Sequence, residues 1–255
     1  MIQKKNRTKS TKKPTKQSKN IEVSDSYHHG QLKETLLQTA LKLLKTKSPN
    51  EISLRELSRA AGVSGTAPYR HFKDKNELLA AISQQGFELM SKYMIEAMEN
   101  AGQDPLKMFY ECGLAYFKMG LEHQQHFKLM VNSEIIPCKD YPELLQSSGK
   151  AFLLVKQMVE FCQNKGLIGK GDSSTKALHC WSVVNGFTAL YAEERLDWIG
   201  VTPENAECAI KSLLSQFLIG TEKPLESSDF GFKPFETVES MEIKKIMDQL
   251  SMVPK

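Results

Sequence analysis

The stretch SLRELSRAAGVSGTAPYRHF, Ser53 to Phe72, decides the reading of this chain. Leu54, Leu57 and Ala61 fall on one face of a short helix that Ser53 can cap. Gly62-Val63-Ser64 then supplies a tight turn. Gly62 tolerates positive φ, Val63 can fill the angle between two helices, and Ser64 can cap a second helix of about two turns ending near Phe72. Two helices at a steep angle over a three- to four-residue turn make a helix-turn-helix, whose second helix enters the DNA major groove. Pro68 falls on the fourth residue after the Ser64 cap, inside the first turn, where backbone N–H groups lack intrahelical partners.

Gly65, Thr66 and Ala67 are small enough to let the helix start approach base edges and phosphates. Thr66, Tyr69, His71 and Lys75 carry hydroxyl, ring N–H and ammonium donors suited to phosphate oxygens. Lys75 opens the next helix, whose free N–H groups also favour an anion. Arg55 and Arg70 are long enough for bidentate contact to guanine, while Gly65 and Ala67 offer only backbone or apolar contact. Ser53 and Ser64, at the two helix starts, complete the candidate DNA-binding set.

Outward from this motif, apolar residues keep helical spacing from about residue 30 to 220. Leu36, Leu37, Ala40, Leu41 and Leu44 form one stripe; Leu79, Ile82, Leu89, Met90, Tyr93 and Met94 form another. Asp104-Pro105 and Thr202-Pro203 read as helix starts, Asp74 with Glu77 as a capping box, and Gly220 as the stop of the helix begun at Pro203. No β-alternation or 20–50-residue repeat is present, so the expected fold is all-α. The expected division is a basic tail over 1–26, an N-terminal three-helix HTH domain over 30–90, a helical-bundle ligand-binding and dimerisation domain over 91–220, and a C-terminal tail over 221–255. In that tail Ile243, Ile246, Met247 and Leu250 suggest one more short helix.

The 255 residues carry 34 Lys/Arg and 30 Asp/Glu. Eight of the basic residues and none of the acids lie in 1–20, which leaves the remainder acidic by four. Such a Lys/Thr/Ser segment cannot bury enough apolar area to order itself; it is either a solvated tail or an arm on DNA phosphates. No apolar run reaches membrane-spanning length and no secretory signal block opens the chain. Five Cys, odd in number and without a CxxC pair, fit a reducing, cytoplasmic compartment. A phosphate-cradling Gly loop, a Gly-x-Ser-x-Gly elbow and HExxH are all missing, so an enzyme is not expected. Neither cofactor nor metal is expected. His28-His29 do not face one site, and a polar helix end accounts for His123 and His126 as simply as a ligand pair does. Cys180 reads as a buried thiol before it reads as a redox sensor.

At Tyr69-Arg70-His71-Phe72, with Lys75 opening the helix that follows, the sequence resembles the TetR family of bacterial transcriptional regulators. YHHGQL at 27–32, GTAPYRHF at 65–72, HFKLM at 126–130 and YPEL at 141–144 resemble a subgroup with a WHG-type C-terminal domain. The subgroup's W-x-x-x-H-G reads Trp181 to Gly186 here, with Asn185 in place of histidine, so that histidine's role is not carried over. The resemblance runs from about 27 to 219. It implies a DNA-binding head, a helical effector-binding body and a homodimer on a near-palindromic double-stranded operator, with Thr66, Tyr69, His71 and Lys75 as phosphate contacts and Gly65, Ala67 and Arg55 nearest the bases.

Two readings of the second domain's Met and aromatic residues stay open: core filling, or a pliable apolar cavity. The candidate lining residues are Tyr116, Phe117, Phe127, Met130, Phe152, Trp181 and Asn185, with Tyr116 and Asn185 as polar anchors and the segment Asn132–Ser148 as a lid. Ser173–Leu196 and Pro203–Ile219 are apolar on more than one side, which suits a four-helix interface with a second copy. The function expected is a homodimeric repressor released from its operator by a small, mostly apolar ligand. The alternative is a DNA-binding protein whose bundle serves only as a dimer scaffold.

Overall fold

The computed structural model describes residues 21–132 and 136–218. Among them are eight α-helices: α1 Ile21–Leu44, α2 Leu54–Ala60, α3 Lys75–Ala101, α4 Pro105–Glu122, α5 Gln124–Val131, α6 Pro142–Asn164, α7 Ser173–Ala192 and α8 Ala206–Ser215. There is no strand among the described residues; the one β-type pairing is an isolated antiparallel bridge between Ile168 and Leu218. The fold is all-α, as the periodicity predicts.

The helix starts follow local chemistry. Ser53 accepts from the Glu56 N–H at 3.2 Å and Asp74 from the Glu77 N–H at 2.9 Å. Asp104 takes both the Leu106 and Lys107 N–H groups, just ahead of Pro105 at the first helical position. Asp172 caps α7 through the Thr175 N–H. α1 begins at Ile21, so residues 21–26, expected in the basic tail, are helical.

α8 begins at Ala206, three residues later than Thr202-Pro203 predicts. Residues 202–205 form a turn, in which Asn205 Oδ1 accepts from the Thr202 N–H at 2.8 Å and its Nδ2 donates to the Gly200 carbonyl at 2.9 Å. The predicted stop at Gly220, the helix around Ile243–Leu250 and the basic residues of 1–20 lie outside the described residues.

α1, α2 and the first turns of α3 enclose the head. Leu36, Leu37, Leu54, Leu57, Phe72, Leu78 and Ile82 are all buried there. α3 then leaves the head and continues into the body, where it packs on α4, α5 and α6, while α7 and α8 close the far side. Its 27 residues span roughly 40 Å at 1.5 Å per residue, so one rigid helix belongs to both parts. At Gly86 a Cβ would meet the Met130 side chain and lie close to His126 Cβ, so glycine leaves room for α5 against α3. No helix among the described residues is long and apolar enough to cross a membrane.

Candidate functional site

The turn after α2 is built from its backbone. Gly62 sits at φ +69°, in the left-handed region open to glycine. The Gly62 and Val63 N–H groups donate to the Arg59 and Ser58 carbonyls, closing α2 in the manner of a Schellman cap. The sequence predicts an α-helix from Ser64 to Phe72, and the structure differs. After Ser64 the chain makes a turn at Gly65-Thr66 and then a 3-10 turn over Pro68–Arg70. Pro68 supplies no N–H, so the i→i−4 ladder fails at that residue. Ala67 instead bonds back to Ser64, and Arg70 to Ala67, at i−3 spacing. The α-type bond returns only at Phe72 to Pro68, at 2.9 Å.

This tight segment sorts the candidate residues. Ser53, Arg55, Ser64, Gly65, Thr66, Tyr69 and Arg70 are exposed, with Tyr69 at 57%. Ser64 and Thr66 hydroxyls lie 3.4 Å apart. Ala67, expected near base edges, is only 7% exposed, because the 3-10 winding turns it into the head with Pro68. Lys75 is half-buried and its Nζ donates to the Asn50 carbonyl at 3.2 Å, which holds it beside the start of α3. His71 lines a cleft with Lys33, Phe72, Glu77 and residues of α6. The exposed cations Arg59 and Lys73 were not among the expected contacts; Arg59 lies one turn after Arg55 on α2, where i,i+4 spacing puts both on one face.

That cleft also corrects the expected lid. None of the described residues of Asn132–Ser148 lines the body's apolar cavity. Tyr141, Glu143 and Leu144, at the start of α6, instead face the head, and Leu144 is buried. Pro142 at the first position starts α6 early enough to bring its first turn against α3.

Deeper in the body, a small apolar cavity of about 30 Å³ lies between α3, α4, α6, α7 and α8, with Met94, Phe109, Cys112, Met158, Val184 and Leu214 among its walls. Tyr116 and Trp181 also line it, and Phe152 lines a neighbouring space of about 10 Å³. The Tyr116 hydroxyl donates to Asn185 Oδ1 at 2.8 Å and accepts from Trp181 Nε1–H at 3.1 Å. Both expected anchors thus share one hydrogen-bond chain. Burial holds the Tyr116 phenol well above its ordinary range and pushes the Cys112 and Cys180 thiols up to about 12. Cys180 is a protonated, buried thiol.

Four candidates line neither space: Asn185 stands behind the Tyr116 hydroxyl, and three aromatic or Met residues pack elsewhere. Phe117 packs on Phe187 and Tyr191, with ring centroids 5.5 and 5.2 Å away. Phe127 is buried edge-on to Tyr116, and Met130 covers Gly86. They are core because they sit on other faces of their helices. The walls that the sequence did not single out, such as Met94, Val155 and Leu214, are ordinary apolar residues with no signal beyond helical spacing.

His123 and His126 meet edge-on at the junction of α4 and α5, 5.8 Å apart, and no metal-holding cluster exists among the described residues. Tyr93 donates to Glu122 at 2.5 Å and lies 3.1 Å from His123 Nε2. Burial, aided by His123 and opposed by Glu34, pulls His126 down to about 4. The folded protein then binds fewer protons than the unfolded chain between about pH 4 and 6.5, so this histidine's contribution is complete above pH 6.5 and lost as pH falls towards 4. Thermal melts should show Tm falling over that window, and His126→Gln should flatten the fall.

Known proteins share this arrangement. Residues 36–82 match the family model described as bacterial regulatory proteins, tetR family, and residues 109–215 match the tetracyclin repressor-like C-terminal domain. The HTH-type transcriptional regulator AcrR of Shigella flexneri is 32% identical over 79 residues, 31% of this chain and 37% of that regulator's length. A protein of unknown function from Rhodococcus sp. RHA1 is 30% identical, with a TM-score of 0.66 over 75% of this chain and 97% of the other. The TetR family transcriptional regulator PfmR from Thermus thermophilus shares the fold at 20% identity, with a TM-score of 0.58 over 74% and 99% of the two chains. An exposed helix-turn-helix carried on a long helix into an all-α body, with both parts matched by the family's models, places the chain in the TetR family of DNA-binding transcriptional regulators.

Proposed function

We propose that the protein is a cytoplasmic homodimeric repressor that leaves a near-palindromic operator when a small, mostly apolar ligand enters the body. The observation that carries this reading is the course of α3. It starts at Lys75, beside the exposed turn, and roughly five turns further on it presents Met94 to the apolar cavity. A ligand that favours one tilt of α3 shifts the spacing of two heads, and a coupling of ~1–3 kcal/mol suffices for a 5- to 150-fold change in operator affinity.

The second copy is supported by α7 and α8. Leu178 and Leu190 on α7 and Leu213 on α8 are exposed, and the Cβ position of Gly186 faces open space. Apolar residues on the outside of two adjacent helices fit a self-complementary two-fold interface. In solution the protein should run as a dimer by light scattering, and Leu178→Glu with Leu190→Glu should convert it to monomer and abolish tight operator binding.

The direct test is fluorescence anisotropy on DNA from upstream of the protein's own gene, beside a scrambled duplex and across a salt series. Specific binding should exceed non-specific by ~10³-fold or more. Equal, steeply salt-dependent binding to both duplexes would overturn the operator reading.

A further inference from the structure

A groove of about 620 Å³ opens where the head meets the body, between α1, α3 and the corner joining α4 to α5. Leu41 and Leu89 give it an apolar wall. Its three carboxylates are already engaged by neighbours. Glu34 accepts from Gln38 Nε2 at 2.8 Å and from Gln85 Nε2 at 3.2 Å, Glu88 from Gln84 Nε2 at 2.9 Å, and Glu122 from the Tyr93 hydroxyl.

Other polar groups of the same groove are not satisfied in this way. Gln85 turns its amide nitrogen to Glu34, which leaves its Oε1 buried and without a hydrogen bond among the described residues. His126 is 7% exposed; its ring meets His123 edge-on and makes no hydrogen bond among the described residues. Burial keeps that ring neutral near pH 7, so it offers one N–H and one bare nitrogen. Lys42 and Lys45, one turn apart on α1, have no carboxylate in ion-pairing reach among the described residues. A buried acceptor and a buried imidazole give up water on folding, and only a bound molecule can return their bonds.

We propose that this groove is a second ligand site, apart from the body's apolar cavity, and that it takes a hydroxylated organic anion such as a sugar acid. The anionic group meets Lys42 and Lys45. One hydroxyl donates to Gln85 Oε1, another meets the His126 ring, and the carbon chain covers Leu41 and Leu89. Hydroxyls suit these walls because each is both donor and acceptor. A cation finds no open carboxylate, since Glu34, Glu88 and Glu122 each hold a donor already. The walls belong to the head, to the helix shared by both parts and to the body, so an occupant ties α1 to α5 across α3 and fixes the setting of the head.

The test is calorimetric titration of the full-length protein with gluconate, sorbitol and hexanoate. Sorbitol keeps the hydroxylated chain and removes the charge; hexanoate keeps the charge and removes the hydroxyls. Gluconate should bind saturably, one per chain, and each of the others roughly tenfold more weakly or worse. Gln85→Met removes the buried acceptor at similar length and should weaken gluconate by roughly tenfold while leaving hexanoate unchanged. Lys42→Gln with Lys45→Gln, both at exposed positions, should bring gluconate down to the sorbitol level. Operator affinity, read by anisotropy with and without saturating gluconate, should differ by about fivefold or more.

Sorbitol or hexanoate binding as tightly as gluconate would overturn the ligand class. Gluconate binding that survives Gln85→Met unchanged would place it outside the groove, and no saturable heat with any of the three would leave the groove to water. Either result sinks the site. Calorimetric binding with unchanged operator affinity would overturn the tie between head and body. Calorimetry needs no DNA, so loss of the operator reading and loss of this site are separate outcomes.

Discussion

Phe72→Ala should lower stability by about 3–5 kcal/mol, the usual cost of emptying a buried phenylalanine site. Phe72 is 1% exposed and is the one aromatic ring among the buried residues from Leu36 to Ile82. It sits where the 3-10 turn meets α3, and it is the residue at which the α-type backbone bond resumes. Removing the ring takes support from the turn, from Leu78 and Leu79 at the start of α3, and from the cleft shared with α6. Such a loss is a large share of the ~5–15 kcal/mol that holds a domain folded. A drop in Tm of roughly 6–20 °C is expected. Operator binding should fail well below the melting point of the wild type, because the head opens first. Phe72→Leu, which keeps most of the apolar volume, should restore most of both losses. A Tm within two or three degrees of wild type for Phe72→Ala would refute this assignment of the head's core.

Tyr69→Ala should do the opposite: leave Tm nearly unchanged and weaken DNA binding roughly 10- to 100-fold. Tyr69 is 57% exposed, three residues from buried Phe72, so the same short turn holds one aromatic ring inward and presents the other. An exposed ring of this size contributes little to folding, and surface substitutions usually stay within ~0.5 kcal/mol. A phenol at a phosphate acts through its hydroxyl. Tyr69→Phe should therefore reproduce most of the loss, and the loss should be similar on operator and scrambled DNA, since a backbone contact carries no sequence information. Arg55→Ala and Arg59→Ala would be compared on the same duplexes. A loss confined to the operator would mark a base contact instead.

Much of this was legible in residues 53–72, and the part that was not has a local cause. The turn at Gly62 and the cap at Ser53 follow from residue type and spacing. The conversion of the second helix to a 3-10 turn does not, because a proline inside a first turn is compatible with either winding; the bonds of Ala67 and Arg70 decide it. Asp104-Pro105 and Thr202-Pro203 look alike in sequence, yet α4 starts at Pro105 while 202–205 form a turn and α8 starts only at Ala206. In the body, Tyr116 and Asn185 were expected as polar anchors and Trp181 as an aromatic lining residue, and the three share one hydrogen-bond chain. Phe117, Phe127 and Met130 carried the same composition signal but point elsewhere, and only the angular order of side chains around α4 and α5 tells the two groups apart.

The placement of α6 has a consequence for engineering. This helix runs roughly 20 Å from the cleft beside His71 and Phe72 to the cavity walls at Val155 and Met158. A hybrid sensor made by grafting another regulator's reading head onto this body at α3 would keep one seam and tear the other. Tyr141, Glu143 and Leu144 would then meet a foreign surface. Working hybrids should need the donor's counterparts of Lys33, His71 and Ala81 matched to that first turn of α6, or the turn exchanged together with the head. The unit of recombination in this protein is discontinuous in sequence.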